Sequence, residues 1–337
     1  MIIVMKENAI DSQVQNVHDF IIESSMKPVL LHGTTRKVFA AIGENRAINI
    51  DHVNAMPGVD RIVRILSPYK LAGPLPERKK TQVAINGACL GDKKIGVIAG
   101  PCSVENETQI VEIAHQVKEA GAIALRGGAY KPRTSPYSFQ GLQVKGLEYL
   151  AIAKEKTGLS IVTEVISPDT VGLVSQYADV LQIGARNMHN YSLLGAVGRI
   201  NKPVLLKRGI SSTLEEFLLA AEYILSEGNQ NVILCERGIR TFETFSRFTL
   251  SLSSVPFLKQ NSHLPVLVDP SHGTGKREFV LPMARAAVAA GADGLLIEVH
   301  TEPEESFVDA SQTVSCEEFR GIMKEVGSVA RAIGRDI

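Results

Sequence analysis

The sequence lacks every bulk feature that would decide a function by itself. Its 337 residues carry 36 acidic and 36 basic side chains, so the formal net charge is zero. No global basic field points to nucleic acid, and no long like-charge run forms a tail. The longest apolar stretches have strand length, which predicts no membrane span. The opening residues, MIIVMKENAID, have neither a basic flank nor a long apolar core, so no signal peptide is expected. The four cysteines, Cys89, Cys102, Cys235 and Cys316, lie far apart with no C-x-x-C pair. In a chain of this size that predicts a reducing, cytoplasmic setting with free thiols. A dinucleotide fingerprint is also missing. The one glycine-bearing turn after a first barrel-type strand, AGPCSVEN, does not match G-x-G-x-x-G, which counts against an open doubly wound sheet.

What is present is an ordinary globular composition, 45% apolar and 21% charged, long enough for one large domain and one small. Residues 1–66 read as a separate module. IIVM is a short strand, and Ile10, Val14, Val17 and Ile21 have helical spacing. KPVLL and KVFAAIG are strands around a His32-Gly33 turn, a short helix follows near 50–56, and VDRIVRIL is a last strand. The order β-α-β-β-α-β predicts a ferredoxin-like domain. Residues 67–94 form a Pro-, Gly- and Lys-rich linker, then a hairpin around Asn86-Gly87.

From residue 95 to 337 short apolar runs alternate with amphipathic segments of helix length. The runs are IGVIAG, AIALRG, SIVTE, DVLQIG, PVLLKRG, NVILCERG, PVLVDPSHG and DGLLIEVH. Helices are expected near 106–120, 142–157, 168–177, 190–199, 213–226, 241–251, 278–290 and 316–333. Eight such repeats, of about 30 residues each, predict a (β/α)8 TIM barrel. The fold class expected is therefore α/β, a TIM barrel preceded by a small α+β domain.

A barrel places its active site at the C-terminal ends of its strands, so the residues ending each run matter most. Strands two, four, five and six deliver Arg126, Lys131, Arg133, Arg186, Lys207 and Arg237. Six cations at one mouth need anionic ligands, and arginine forks suit phosphate and carboxylate. Lys131 and Arg133 lie in AYKPRTSPYSFQG, where Pro132 and Pro136 forbid a helix and stiffen the loop. Such a loop is expected to grip a phosphate. Strands one, seven and eight deliver Cys102, His272 and Glu298, with Asp309 in the following loop. Barrel closure makes these neighbours, and a mixed S, N and O set suits a divalent transition metal better than magnesium or calcium. Quieter readings stand beside these. Cys102 could be a small buried hydrophobe. His272 could cap a helix, Glu298 could pair internally with an arginine, and Glu164, which ends strand three, could hold Lys131 or Arg186. Arg208 and Arg240 read as supporting residues.

The segments AGPCSVE, LRGGAYKPRTSPYSFQG, QIGARN, PVLLKRG, CERGIRTFE, VDPSHGTGKR and IEVH resemble 3-deoxy-D-arabino-heptulosonate 7-phosphate (DAHP) synthase of the type I-beta branch. That branch includes members with an N-terminal ferredoxin-like domain. The resemblance implies a TIM barrel that condenses phosphoenolpyruvate with erythrose 4-phosphate, the first step of the shikimate pathway to aromatic amino acids. It implies a divalent cation such as Mn, Fe, Co or Zn held by Cys102, His272, Glu298 and Asp309. Arg126, Lys131, Arg186, Lys207 and Arg237 would hold phosphoenolpyruvate, assisted by the Gly184-Ala185 backbone. Arg133 and Thr134 would take the phosphate of erythrose 4-phosphate. Lys131 becomes the candidate proton donor, with Glu164 and His272 as further participants in proton transfer and Cys102 as a metal-holding catalytic residue. It also implies feedback inhibition by Tyr or Phe through residues 1–66, and a homotetramer. The alternative within this chemistry is 3-deoxy-manno-octulosonate 8-phosphate synthase, whose loop carries an Asn where this chain has Pro132-Arg133. A Schiff-base aldolase using Lys207, and an amino-acid-sensing barrel without catalysis, are the rivals outside it.

Overall fold

A computed structural model describes residues 1–32, 36–43, 50–63, 68–74, 79–133 and 135–337. The chain divides into two compact units, Met1–Lys80 with Asn261–His263, and Thr81–Gln260 with Leu264–Ile337.

The first unit has the strand and helix order expected from its sequence. β1 (Ile2–Met5), α1 (Asp11–Glu23), β2 (Lys27–His32), β3 (Lys37–Ile42), α2 (Ile50–Ala55) and β4 (Val59–Val63) follow in turn. The sheet order is β2-β3-β1-β4, antiparallel throughout, as a ferredoxin-like fold requires. Strand alternation decides the core: Met1, Ile3 and Met5 face the helices, where they meet Val14, Val17 and Ile21 of α1. The turn expected at His32-Gly33 lies outside the described residues.

The second unit opens with a hairpin, β5 (Val83–Ile85) and β6 (Ala88–Leu90). Asn86 and Gly87 both have positive φ, 50° and 77°, the conformation a two-residue type I′ turn demands. Eight parallel strands follow: β7 (Gly96–Gly100), β8 (Ala124–Arg126), β9 (Ser160–Val165), β10 (Val180–Ile183), β11 (Val204–Lys207), β12 (Val232–Glu236), β13 (Val266–Val268) and β14 (Gly294–His300). Each pairs with the next, and β14 returns to pair with β7, so the sheet closes. A short β15 (Val314–Ser315) adds to the end of β14. Helices cover the outside: α3 (Glu107–Glu119), α4 (Val144–Thr157), α5 (Val171–Tyr177), α6 (Tyr191–Gly198), α7 (Leu214–Ser226), α8 (Ser254–Asn261), and, after the short α9 (Pro270–Thr274) at the mouth, α10 (Arg277–Ala289) and α11 (Cys316–Ala332). Strands sandwiched between a filled interior and a helical coat are buried on both faces, which is why they read as continuous apolar runs.

The bottom of the barrel is plugged by Val83, Ile85 and Leu90 of the hairpin. They pack on inward residues such as Ile98, Val162, Leu205 and Leu267. The apolar filling therefore occupies the N-terminal end and leaves the C-terminal mouth to polar groups. Two barrel helices start in reciprocal capping boxes, Thr213 with Glu216 and Ser315 with Glu318.

One expected helix is absent. Residues 241–251 are irregular, and the helix of that repeat is α8, which starts at Ser254. The backbone of 239–249 finds its partners elsewhere. Ile239 and Thr249 exchange hydrogen bonds at 3.0 and 2.9 Å, Arg240 N donates to Ile210 O, and Arg247 N donates to Thr274 O. The Thr241 and Thr249 hydroxyls meet at 2.6 Å. A segment rich in Thr, Phe and Ser has little intrinsic helicity to oppose this.

Candidate active site

Each barrel strand delivers a polar group to the mouth, because the last inward residue of a strand lies above the apolar layers. The result is a cavity of about 550 Å³ lined by Arg126, Lys131, Arg133, Arg186, Lys207 and Arg237. All six cations expected from the sequence thus face one space, together with Glu164, Gly184, Ala185, His272 and Asp309. Arg240 and Arg247 line it as well. Sequence reading gave Arg240 only a supporting place and missed Arg247, which sits in the segment expected to be helical.

The four candidate metal ligands converge. One donor atom from each of Cys102, His272, Glu298 and Asp309 lies within 4.8 Å of every other. Donors held about 2.0–2.3 Å from one zinc-like ion are at most about 4.6 Å apart, so the set is of the right size. Its chemistry also fits: one sulfur, one imidazole and two carboxylates turned toward a common point. Asp309 reaches it from an αL conformation, φ 58°, that an aspartate adopts more readily than most residues. Cys102 Sγ lies 3.4 Å from Asp309 Oδ2, and His272 Nε2 lies 3.3 Å from Glu298 Oε1.

A second layer of bonds fixes these ligands. His272 Nδ1 faces Asp269 Oδ2 at 2.7 Å, which puts the ring proton there and turns the Nε2 lone pair to the cluster. Gln312 donates to Glu298 Oε2 at 2.5 Å, Ser271 Oγ accepts from Glu298 N, and Arg247 holds Asp309 Oδ1 at 3.0 Å. Asp269 is marked in the sequence only as a residue that ends strand seven beside His272, and Gln312 has no signal there. Their role comes from distances that only the folded chain shows.

Electrostatics set the protonation states. Burial alone would raise the Glu298 carboxyl, but His272 and Arg126 outweigh it and hold the pKa below the ordinary value. Burial likewise opposes ionisation of Asp309, yet His272 and Arg247 bring it well down. Burial lowers His272, which keeps the imidazole neutral and able to coordinate. The Cys102 thiol is pushed far up by burial and then by Glu298, against the pull of Lys131.

Lys131 joins the two halves of the mouth. Its Nζ donates to Cys102 O at 2.9 Å and to Cys102 Sγ at 3.1 Å. Burial works against its charge, but Cys102 and Glu164 raise the pKa overall, so it stays an ammonium. Arg126 is similarly locked, donating to Glu298 Oε1 at 2.6 Å. Arg237 stacks over Phe248, 4.1 Å from the ring centre. The loop after β8 is closed at its base by Lys131 N to Gln140 O and Gln143 N to Ala129 O. Arg133 is part of it; Thr134 lies outside the described residues.

Two glycines are required by close approach. A Cβ on Gly184 would strike the Glu164 carboxylate, and one on Gly128 would come within 2.7 Å of both Cys102 O and Lys131 Cδ. Arg208, by contrast, is turned into a buried pair with Glu236 at 2.9 Å.

Comparisons with known proteins agree with this architecture. Residues 78–332 match the model of the DAHP synthetase I family, and residues 1–67 match that of the DAHP synthase ferredoxin-like domain. The chain belongs to the DAHP synthetase I family. It is an enzyme of the transferase type that this family comprises. It is 46% identical over 334 residues to a phospho-2-dehydro-3-deoxyheptonate aldolase of Thermotoga maritima, covering 99% of each chain. A crystal structure of that organism's DAHP synthase superposes with a TM-score of 0.79 at 45% identity, covering 99% of this chain and 98% of that one. A 2-dehydro-3-deoxyphosphooctonate aldolase of Nitratidesulfovibrio vulgaris is 31% identical over 251 residues, covering 69% of this chain and 91% of the relative. The DAHP synthetase I assignment thus covers the barrel that carries the cavity. Among the described residues no helix is long and apolar enough to cross a membrane.

Proposed function

We infer that the chain joins phosphoenolpyruvate to erythrose 4-phosphate, giving DAHP and inorganic phosphate, and that this reaction needs a divalent cation. The observation that carries the reading is the adjacency of two built features in one cavity: four convergent ligands beside six cations. A divalent ion bound by Cys102, His272, Glu298 and Asp309 would supply Lewis acidity toward an aldehyde oxygen.

The remaining work falls to side chains. Arg126, Lys131, Arg186, Lys207 and Arg237, with the Gly184-Ala185 backbone, hold the phosphate and carboxylate of phosphoenolpyruvate. Arg133 and Thr134 take the phosphate of the second substrate. Holding two anions in register makes the encounter effectively intramolecular. C3 of phosphoenolpyruvate bonds to the aldehyde carbon, and Lys131 Nζ gives its proton to the former aldehyde oxygen. Water adds at C2 and loses a proton, for which the Glu164 carboxylate is the nearby acceptor. The bond from C2 to the phosphate ester oxygen then breaks, the C2 hydroxyl proton passes to the departing phosphate, and the ketone is left. Lys131 suits the donor role because it lines the cavity and keeps its charge against burial.

A Schiff-base route through Lys207 has less support. Its Nζ is committed to an ion pair with Asp269 at 2.6 Å and is not free to attack a carbonyl. The ferredoxin-like domain supports feedback inhibition by Tyr or Phe, and the family supports a homotetramer. The test of substrate choice is phosphate release from phosphoenolpyruvate with erythrose 4-phosphate or arabinose 5-phosphate. The four-carbon sugar should be strongly preferred. Preference for the five-carbon sugar would assign 3-deoxy-manno-octulosonate 8-phosphate synthesis instead.

A further inference from the structure

Asp269 has no part in the steps above, yet it is a buried carboxylate with three hydrogen bonds, one of them to a cation that lines the cavity. It is fully buried at the N-terminus of α9. Its Oδ1 accepts from His272 N at 2.9 Å. Its Oδ2 accepts from two side chains at once: His272 Nδ1 at 2.7 Å and Lys207 Nζ at 2.6 Å. One oxygen atom therefore touches a ligand of the metal cluster on one side and a cavity-lining cation on the other. Burial works against its charge, but His272 and Lys207 keep it ionised.

We propose that Asp269 is a positioning residue that couples anion binding at Lys207 to metal binding at His272. The proposal rests on the function inferred above. Two strong donors sharing one oxygen compete for its electron density. When an anionic substrate engages Lys207, the ammonium gives less to Asp269. The carboxylate then accepts more strongly from His272 Nδ1–H, and the imidazole becomes a better donor at Nε2. The substrate thus tightens the metal, and by linkage the metal tightens the substrate by the same factor. Chemistry is favoured only when both are present, because each stabilises the site for the other.

The test is calorimetric titration of the metal-free full-length protein with Co²⁺, with and without saturating phosphoenolpyruvate and with no aldehyde present. The cobalt–thiolate absorption band reports ligation by Cys102. In the wild type phosphoenolpyruvate should tighten Co²⁺ about tenfold, the lower end of effects transmitted by such outer partners. Lys207→Met leaves Asp269 to His272 alone. It should bind Co²⁺ about as tightly as the wild type does with phosphoenolpyruvate bound, about tenfold tighter than the free wild type, and show no further enhancement, with phosphoenolpyruvate occupancy confirmed separately. Arg237→Met removes another cavity cation, one without a bond to Asp269, and should keep the enhancement. Asp269→Asn should weaken Co²⁺ by about 10–100-fold and abolish the enhancement. The proposal is overturned if Lys207→Met keeps the enhancement, if Arg237→Met loses it equally, or if Asp269→Asn binds Co²⁺ like the wild type. A wild type that binds Co²⁺ with its thiolate band but shows no enhancement overturns the coupling alone. A wild type that does not bind Co²⁺ overturns the metal reading with it.

Discussion

Glu298 Oε1 lies between Arg126 Nη1, at 2.6 Å, and His272 Nε2, at 3.3 Å. A single buried oxygen thus faces a phosphate-type cation and a metal-type ligand. Pairing with an arginine and holding a metal are rival readings of Glu298 in the sequence. The geometry leaves room for both at once.

That arrangement predicts the effect of removing the carboxylate. Glu298→Ala leaves Arg126 buried without its partner, which should cost about 3–5 kcal/mol in the metal-free protein. Glu298 is held below its ordinary value of 4.5. Its contribution to stability is therefore complete above that value and fades as pH falls from it toward the lower folded pKa. Urea unfolding of the wild type should show this decline below about pH 4.5. The variant should be less stable at neutral pH and lack that part of the slope.

Cys102 predicts a proton count. Its thiol is protonated at neutral pH, whereas His272 is neutral and Glu298 and Asp309 are already anionic. A thiolate is the form that binds metal, so each divalent ion bound should release one proton. Titration in buffers of different ionisation enthalpy measures this directly. Release of two protons, or none, would mean that the ligand set is misassigned. Cys102→Ala should keep the fold and lose metal-dependent activity.

Gly184 predicts a steric effect on a catalytic candidate. In Gly184→Ala the new methyl group meets the Glu164 carboxylate and must displace it. Turnover should fall by about 10²-fold while metal content is unchanged, since misplacing a catalytic group by about 1 Å can cost that much. Unchanged turnover would remove Glu164 from the mechanism.

Arg247 predicts a weaker ligand loop. It is the basic partner of Asp309 and also reaches Gln312, which holds Glu298. Arg247→Ala should loosen metal binding by about 10-fold, measured by competition with a chromophoric chelator. An unchanged affinity would show that Asp309 is ordered by its own turn.

The first unit predicts separable regulation. Deleting residues 1–66 should leave an active barrel that Tyr or Phe no longer inhibits. A solved structure exists for a truncated form of the Thermotoga relative, 47% identical and covering 77% of this chain. Inhibition that survives the deletion would place the effector site in the barrel.

Much of this was legible in the chain because parallel barrel strands are buried on both faces and end abruptly in polar residues. The run PVLLKRG announces both the strand and Lys207. The ring of cations follows from strand order, and closure makes Cys102, His272 and Glu298 neighbours, a rule that needs no coordinates; the four-ligand set with Asp309 is what the family resemblance implies. Other features are set by through-space contacts with no local trace. The 241–251 segment has helix length, but its backbone is satisfied by Ile210 and Thr274. Arg247 was hidden with it. Asp269 is legible as a strand-end residue but its bonds to His272 and Lys207 are not, and Gln312 looks like any polar residue until the fold sets it against Glu298.

The most direct test of the central claim is DAHP formation by the full-length protein from phosphoenolpyruvate and erythrose 4-phosphate, before EDTA, after it, and after Mn²⁺, Co²⁺ or Zn²⁺ is restored. The account predicts activity that EDTA abolishes and at least one of these ions recovers. Full activity in the chelated, metal-free protein would contradict it.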